Sequence, residues 1–316
     1  MPLPYPFWDA GLSYGILMAC FAVIHVFVSH FAIGGGLYLV VMERAARKAN
    51  DTRRLEYLQE LTKFFVLVTV VFGALTGVGI WFIIGLLNPV ATEALIHNFV
   101  WGWAIEWTFF VVEILAAILY FYGWKHMSAK GHMKLGWAYF GAAWLSLFVI
   151  NGIITFMLTP GAWIEDGSFW SGFFNPTFWS SLVLRTGICL LMAGLFALLV
   201  ASRYPSGDLK NRLVRYNALW AIAGLLVSGA CWFWYRGAMP EDTFKVATQR
   251  LSISADALVY WQYASYVLLG ALVVFGLGLT RAVKLPVAIV LMALGLVWFG
   301  AFEWFREAAR KPYVIH

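Results

Sequence analysis

Trp101-Gly-Trp-Ala-Ile-Glu106-Trp-Thr-Phe-Phe-Val-Val-Glu113 places two carboxylates inside an apolar segment that runs from about His97 to Tyr122. A segment of that length crosses a bilayer as a helix. An ionised carboxylate at membrane depth is costly, so it persists only beside a partner, in water, or protonated. Glu106 and Glu113 are seven residues apart, which is about two helical turns, so both fall on one face. One such glutamate is explained by a hydrogen bond to a neighbouring helix. Two on one face, with histidines available on another helix, favour a proton path or a cofactor pocket.

The rest of the chain reads as the container for that pocket. Its 316 residues are 62% hydrophobic and only 12% charged, with a mean hydropathy of +0.78, which is the composition of an integral membrane protein. The 17 Trp and 26 Phe exceed what two interfacial belts require, and point to a large aromatic ligand. The net charge of +6 follows from topology and makes no case for nucleic acid. Cys20, Cys189 and Cys231 sit in separate apolar runs, without the spacings of a disulfide framework, a zinc site or covalent c-type haem. The first apolar run is a full span with no basic region ahead of it, unlike a cleavable signal peptide.

Eight hydrophobic segments are expected, near 12–42, 64–87, 97–122, 134–158, 177–201, 213–235, 256–280 and 285–306. The fold class is therefore all-α integral membrane. We expect one membrane domain over 1–316, built as two four-helix bundles over 1–158 and 177–306. Of the 22 cationic residues, 15 lie in the odd-numbered connections: Arg44, Arg47, Lys48, Arg53, Arg54 and Lys63, then Lys125, Lys130 and Lys134, then Arg203, Lys210, Arg212 and Arg215, then Arg281 and Lys284. The positive-inside rule then puts both termini on the outer side. Residues 43–63 are expected as the first connecting loop; loop four (Thr159 to Gly167) and loop six (Arg236 to Ala255) read as solvated loops, with partner docking as the alternative.

A few polar residues interrupt the other spans. His25 and His30 on the first are five apart, so they point about 140° apart and cannot both serve one metal. Gly34-Gly35-Gly36 follows, removing side chains where a flat ring or another helix approaches. The second span carries the small-residue run Gly73-Ala-Leu-Thr-Gly77-Val-Gly79. Arg185 within the fifth span requires an anionic partner: a haem propionate, Glu106 or a lipid phosphate. The last span ends with Glu303 and Glu307 spaced i, i+4 and Arg310 beside them. His126 and His132 fall in a cytoplasmic loop and His97 at the outer rim, and all three read as solvated rather than as ligands.

Taken in order, these motifs resemble subunit I of the cytochrome bd-type oxidases. Ile24-His25-Val-Phe-Val with its Gly-rich turn and Val-Met-Glu43 is similar to the family's first helix, and Gly73 through Gly77 to its G-x-x-T-G motif. Ala104-Ile105-Glu106 with Glu113, leading into Tyr122-Gly123-Trp124, resembles the third-helix acidic segment. Glu307-Ala-Ala-Arg310-Lys-Pro312-Tyr313 resembles the E-x-G-R-Q-P-W end. The departures are specific. The family's second-helix acidic residue falls at Trp81, its low-spin haem histidine at about Arg185 and the opposing methionine at about Tyr266. The two third-helix carboxylates are seven apart rather than eight, the quinol-binding loop shrinks to about twenty residues, and a ninth helix is missing.

The resemblance implies one or two haem b groups, with haem d as an alternative, and hence iron. It implies His25 as axial ligand of one haem and Glu307 of the other. Glu106 would be a second iron ligand or a proton donor, and Glu113 would share in proton delivery. Arg185 and Arg310 would neutralise propionates, with His30 and Glu303 in the same pocket. Without the low-spin haem and the usual quinol loop, electrons are expected from a c-type or multihaem cytochrome on the outer face, with quinol as the alternative donor. Other membrane subunits and lipids are the expected neighbours, in the bacterial inner (cytoplasmic) membrane. Two rivals stand beside an oxygen-reducing subunit: an electron-relay anchor without oxygen chemistry, and a haem-free scaffold.

Overall fold

A computed structural model of the chain describes residues 14–250 and 252–310. These residues form helices and connections, with no strand among them. Among the described residues eight helices are long and apolar enough to cross a membrane: α1 Tyr14–Lys48, α2 Thr52–Leu87, α3 Val100–His126, α4 Ala129–Phe156, α5 Phe178–Ala201, α6 Asp208–Ala238, α7 Ser254–Gly278 and α8 Leu285–Arg310. All eight expected segments are present. Short helices at Pro89–Asn98, Trp163–Asp166, Phe169–Phe173 and Glu241–Lys245 fill the connections.

The helices outrun their apolar segments, which corrects the expectation of a long loop over residues 43–63. Helix α1 continues to Lys48 and α2 begins at Thr52. Asn50 takes the left-handed turn at φ 49°, and the Asp51 carboxylate caps α2 by accepting from Arg54 N at 3.1 Å. The first turns of α2 are amphipathic. Tyr57, Leu58, Leu61 and Phe65 are buried at helical spacing, while the intervening charged residues face out. Hydropathy falls there although the helix does not end.

Helix α5 is the centre of the packing. Most of its side chains are buried, and it lies against α1, α4, α6 and α8. Helix α3 packs on α4, and α7 on α8. By contrast α2, α3 and α7 leave most of their apolar windows uncovered, as suits surfaces meeting lipid or neighbouring subunits. The triple glycine of α1 serves the close approach of neighbouring helices. A Cβ on Gly34 would overlap the Cys189 carbonyl on α5, and one on Gly36 would overlap the Tyr139 ring on α4. Because the first obstacle is backbone, Gly34→Ala is expected to destabilise the fold by about 1–3 kcal/mol. Thermal unfolding in mild detergent would show this; an unchanged midpoint would mean that α1 and α5 separate more easily than their contact implies.

Outside the spans, loop six is pinned by an ion pair. Arg236 Nη2 lies 2.7 Å from Glu241 Oε2 and its guanidinium stacks 3.5 Å over Phe244. The hydrogen bond from Arg236 holds the Glu241 carboxyl below its usual range.

Candidate functional site

Helix α2 changes character where it meets His25. Its turns widen over Leu67–Gly73, a feature common where a helix serves a site, and the carbonyl of Gly73 turns to the histidine. His25 Nδ1 lies 3.2 Å from that carbonyl and 3.1 Å from Thr76 Oγ1. A carbonyl only accepts, so Nδ1 carries the proton and Nε2 keeps its lone pair. Ser29 Oγ is 3.4 Å from Nε2, but its one hydrogen goes to the His25 carbonyl at 2.9 Å. Gly77 admits the ring: a Cβ there would stand 3.0 Å from His25 Cε1. The ring is half-buried, beside exposed Phe21 and Ile24.

A metal-ligating histidine has its second nitrogen fixed by an acceptor in the same way. Among the described residues no group of three or more His, Cys, Asp or Glu could hold a metal ion. Haem iron needs only one or two protein ligands, so the donor chemistry at His25 fits haem.

His30 follows the same pattern deeper in the chain. Its Nδ1 donates to Val26 O at 2.6 Å, and its Nε2 is buried without a hydrogen-bond partner. The ring meets Phe299 edge-on, with centroids 5.3 Å apart, and lies within the field of Arg185, Glu303 and Arg306.

Arg185 finds its carboxylate on α8. Its Nη2 is 3.1 Å from Glu303 Oε1, a close ion pair that is not aligned as a hydrogen bond. The other oxygen, Oε2, accepts from Arg306 Nε and Nη2 at 2.9 and 2.7 Å. The pair expected at the helix surface, Glu303 with Glu307 and Arg310, is thus replaced at Glu303 by a buried cluster that joins α1, α5 and α8. Arg306, which sequence reasoning missed, is its third charge. Its position i+3 from Glu303 was the available signal. Glu307 is half-buried and acts electrostatically on Arg306. The side chain of Arg310 and the Lys311–Pro312–Tyr313 end lie outside the described residues.

Glu106 and Glu113 share the groove between α3 and α4, each half-buried. Glu106 Oε1 accepts from Ser146 Oγ at 3.0 Å, so Glu106 is not the partner of Arg185. Glu113 Oε1 accepts from Tyr139 Oη, also at 3.0 Å. The same hydroxyl lies 3.0 Å from Ala32 O on α1.

A third polar layer sits one further step toward the end of the molecule that carries the cationic connections. His132, expected in solvent, is fully buried. Its ring stacks on Tyr120 with centroids 4.0 Å apart. Its Nε2 lies 2.9 Å from Tyr120 O and its Nδ1 2.9 Å from both oxygens of Glu43. Tyr120 Oη donates to Glu43 at 2.7 Å and Arg47 Nε donates to it at 2.6 Å. The sequence hid this layer because Glu43 and His132 border strongly basic stretches.

The model of the family described as cytochrome bd terminal oxidase subunit I matches residues 15–238. No curated protein sequence matches the chain. Among solved structures, the bd oxidase from Geobacillus thermodenitrificans superposes with a TM-score of 0.80 at 15% identity, covering 96% of this chain and 88% of that one. At that identity the superposition speaks for the fold alone. With His25, the Gly73–Gly77 run and the α3 carboxylates all inside the matched region, the chain belongs to the cytochrome bd terminal oxidase subunit I family.

Proposed function

We propose that this chain is the haem-carrying membrane subunit of a bd-like oxidoreductase that accepts electrons from a c-type cytochrome on its outer face and reduces oxygen. As a member of its family it is a multi-pass respiratory protein of the bacterial inner membrane. The observation that carries the finer reading is His25, whose Nδ1 is committed to Gly73 O and whose Nε2 is left for iron. Haem, when bound, supplies electron carriage and the reduction of oxygen. The chain's own residues do the rest. His25 would hold one haem and Glu307 the other, while Arg185 and Arg310 would balance propionates. Glu106 would serve as second ligand or proton donor, and Glu113 as the proton store behind it. Other membrane subunits and lipid would cover the open faces of α2, α3 and α7.

The test is the reduced-minus-oxidised spectrum of the purified complex, with and without carbon monoxide, on wild type and His25→Ala. Haem bands whose carbon monoxide response disappears in His25→Ala are the expected result. Haem bands without such a response in the wild type would assign the chain to electron relay, and a colourless subunit would leave a scaffold. Oxidation of a quinol rather than a cytochrome would be read by supplying each donor in turn.

A further inference from the structure

We propose that Glu43, His132 and Tyr120 form a proton-loading site at the basic end of the molecule, and that it supplies Glu113 through Tyr139. The inference rests on the reading of Glu113 as a proton store and extends it to residues not assigned above.

The first argument is periodicity. On α3 the polar residues Glu106, Glu113 and Tyr120 step by seven; on α4 Ser146, Tyr139 and His132 step by seven in the opposite direction. The two helices pack side by side, so the series meet as three rungs, with the contacts Glu106–Ser146, Glu113–Tyr139 and Tyr120–His132. Seven residues rise about 10 Å along a helix, so the rungs cover roughly 20 Å of membrane. Packing alone requires small or apolar residues at these positions, and a polar side chain in all six is costly unless it is used.

The second argument is proton counting. His132 Nε2 faces the Tyr120 carbonyl, which only accepts. Its Nδ1 faces a carboxylate that already accepts from Tyr120 Oη and Arg47 Nε. With Nε2 protonated, the contact at Nδ1 needs one more proton, held either by the ring or by Glu43. The pair therefore shares a proton in a fully buried setting. Arg47, whose side chain is 28% exposed, ties that buried carboxylate to the molecular surface. The groups facing it are Arg47 on its own helix, Tyr120 on α3 and His132 on α4.

The third argument is space between the rungs. A cavity of about 10 Å³ is lined by Tyr120 and Tyr139 with Gly36 and Gly136. A second, of about 20 Å³, is lined by Glu113, Tyr139 and Thr69. One water needs some 10–15 Å³ and two or more polar partners. The larger space meets both needs; the smaller reaches the lower bound in volume, between the two tyrosine rings in an otherwise apolar lining. In the relay, Tyr120 Oη takes the shared proton from Glu43 and releases its own toward Tyr139. Tyr139 passes a proton to Glu113 in the same way, and Glu43 is reprotonated from the basic face. One proton enters and one leaves, with no change of redox state.

The test uses the intact complex in vesicles. Deuterium exchange at the Tyr139 hydroxyl, a band assigned with Tyr139→Phe, is followed by infrared spectroscopy after rapid mixing with deuterium oxide, which reaches both faces, so the comparison between variants carries the result. Glu43→Gln is expected to slow it by at least about tenfold. Tyr120→Phe, which removes one oxygen and keeps the ring stacked on His132, should slow it similarly. Exchange at the wild-type rate in folded Tyr120→Phe would overturn the proposal and leave the lower rung as a structural brace. The readout needs no haem, so absent haem bands would defeat the proposed oxidase function without deciding this result.

Discussion

Glu303→Gln is expected to destabilise the folded chain by about 3–5 kcal/mol, the range for breaking a buried ion pair from one side. Glutamine keeps the volume of glutamate, so neither a cavity nor a clash contributes. What changes is the charge count. Arg185 and Arg306 share the Glu303 carboxylate, all three side chains are buried, and the neutral amide leaves two guanidiniums in an apolar interior. Glu307 softens this for Arg306. Arg185 Nε and Nη2 and Arg306 Nη1 already lack hydrogen-bond partners. Replacing the whole cluster, Arg185→Met with Glu303→Leu and Arg306→Leu, is expected to recover most of the loss, because apolar replacement of a complete buried charge cluster is often neutral, whereas removing Arg185 and Glu303 alone leaves Arg306 without its carboxylate. Detergent unfolding of Arg185→Met, Glu303→Leu and the variant carrying both gives the coupling energy of that pair. A Glu303→Gln cost below about 1 kcal/mol would show water at the cluster, screening it as it screens a surface pair.

How much of this was legible depends on what the sequence encodes locally. The spans were legible because a run of about twenty apolar residues allows little else. The segment Glu43 to Lys63 was misread because hydropathy measures where lipid ends, whereas capping by Asp51 and burial of Tyr57, Leu61 and Phe65 decide where helix ends. His25 stood out as a histidine inside a span, but the acceptor that fixes its tautomer, Gly73 O, lies 48 residues away. Arg185 visibly required a carboxylate, and Glu303 was visible too. Their pairing across α5 and α8 was not, since no local rule relates residues 118 positions apart. The rungs of α3 and α4 were half legible: Glu106 and Glu113 announced the face, and the matching step of seven from His132 to Ser146 becomes meaningful only once the two helices are antiparallel neighbours.

The second large effect is expected at the middle rung. Tyr139 Oη lies 3.0 Å from both Glu113 Oε1 and Ala32 O. With Glu113 protonated, the carboxyl donates to the phenol oxygen and the phenol donates to Ala32 O, so both bonds are made. With Glu113 ionised, the one phenolic hydrogen serves one acceptor at a time, or both weakly. The pocket therefore accepts either state with a rotation of one hydroxyl, which is what a relay residue requires and a purely structural glutamate does not. In Glu113→Gln the amide donates permanently and carries no proton onward, while size and packing are kept. If Glu113 delivers protons to the reacting site, turnover should fall by roughly 10²–10⁴-fold, the range for loss of a positioned proton donor. The haem spectrum and the carbon monoxide response should stay unchanged, because Glu113 is not among the proposed iron ligands. Tyr139→Phe should cost less, since water in the adjacent cavity of about 20 Å³ can take the place of one hydroxyl. Turnover within about threefold of wild type in Glu113→Gln would remove it from the proton path, because so small a change is below what any positioned general acid contributes.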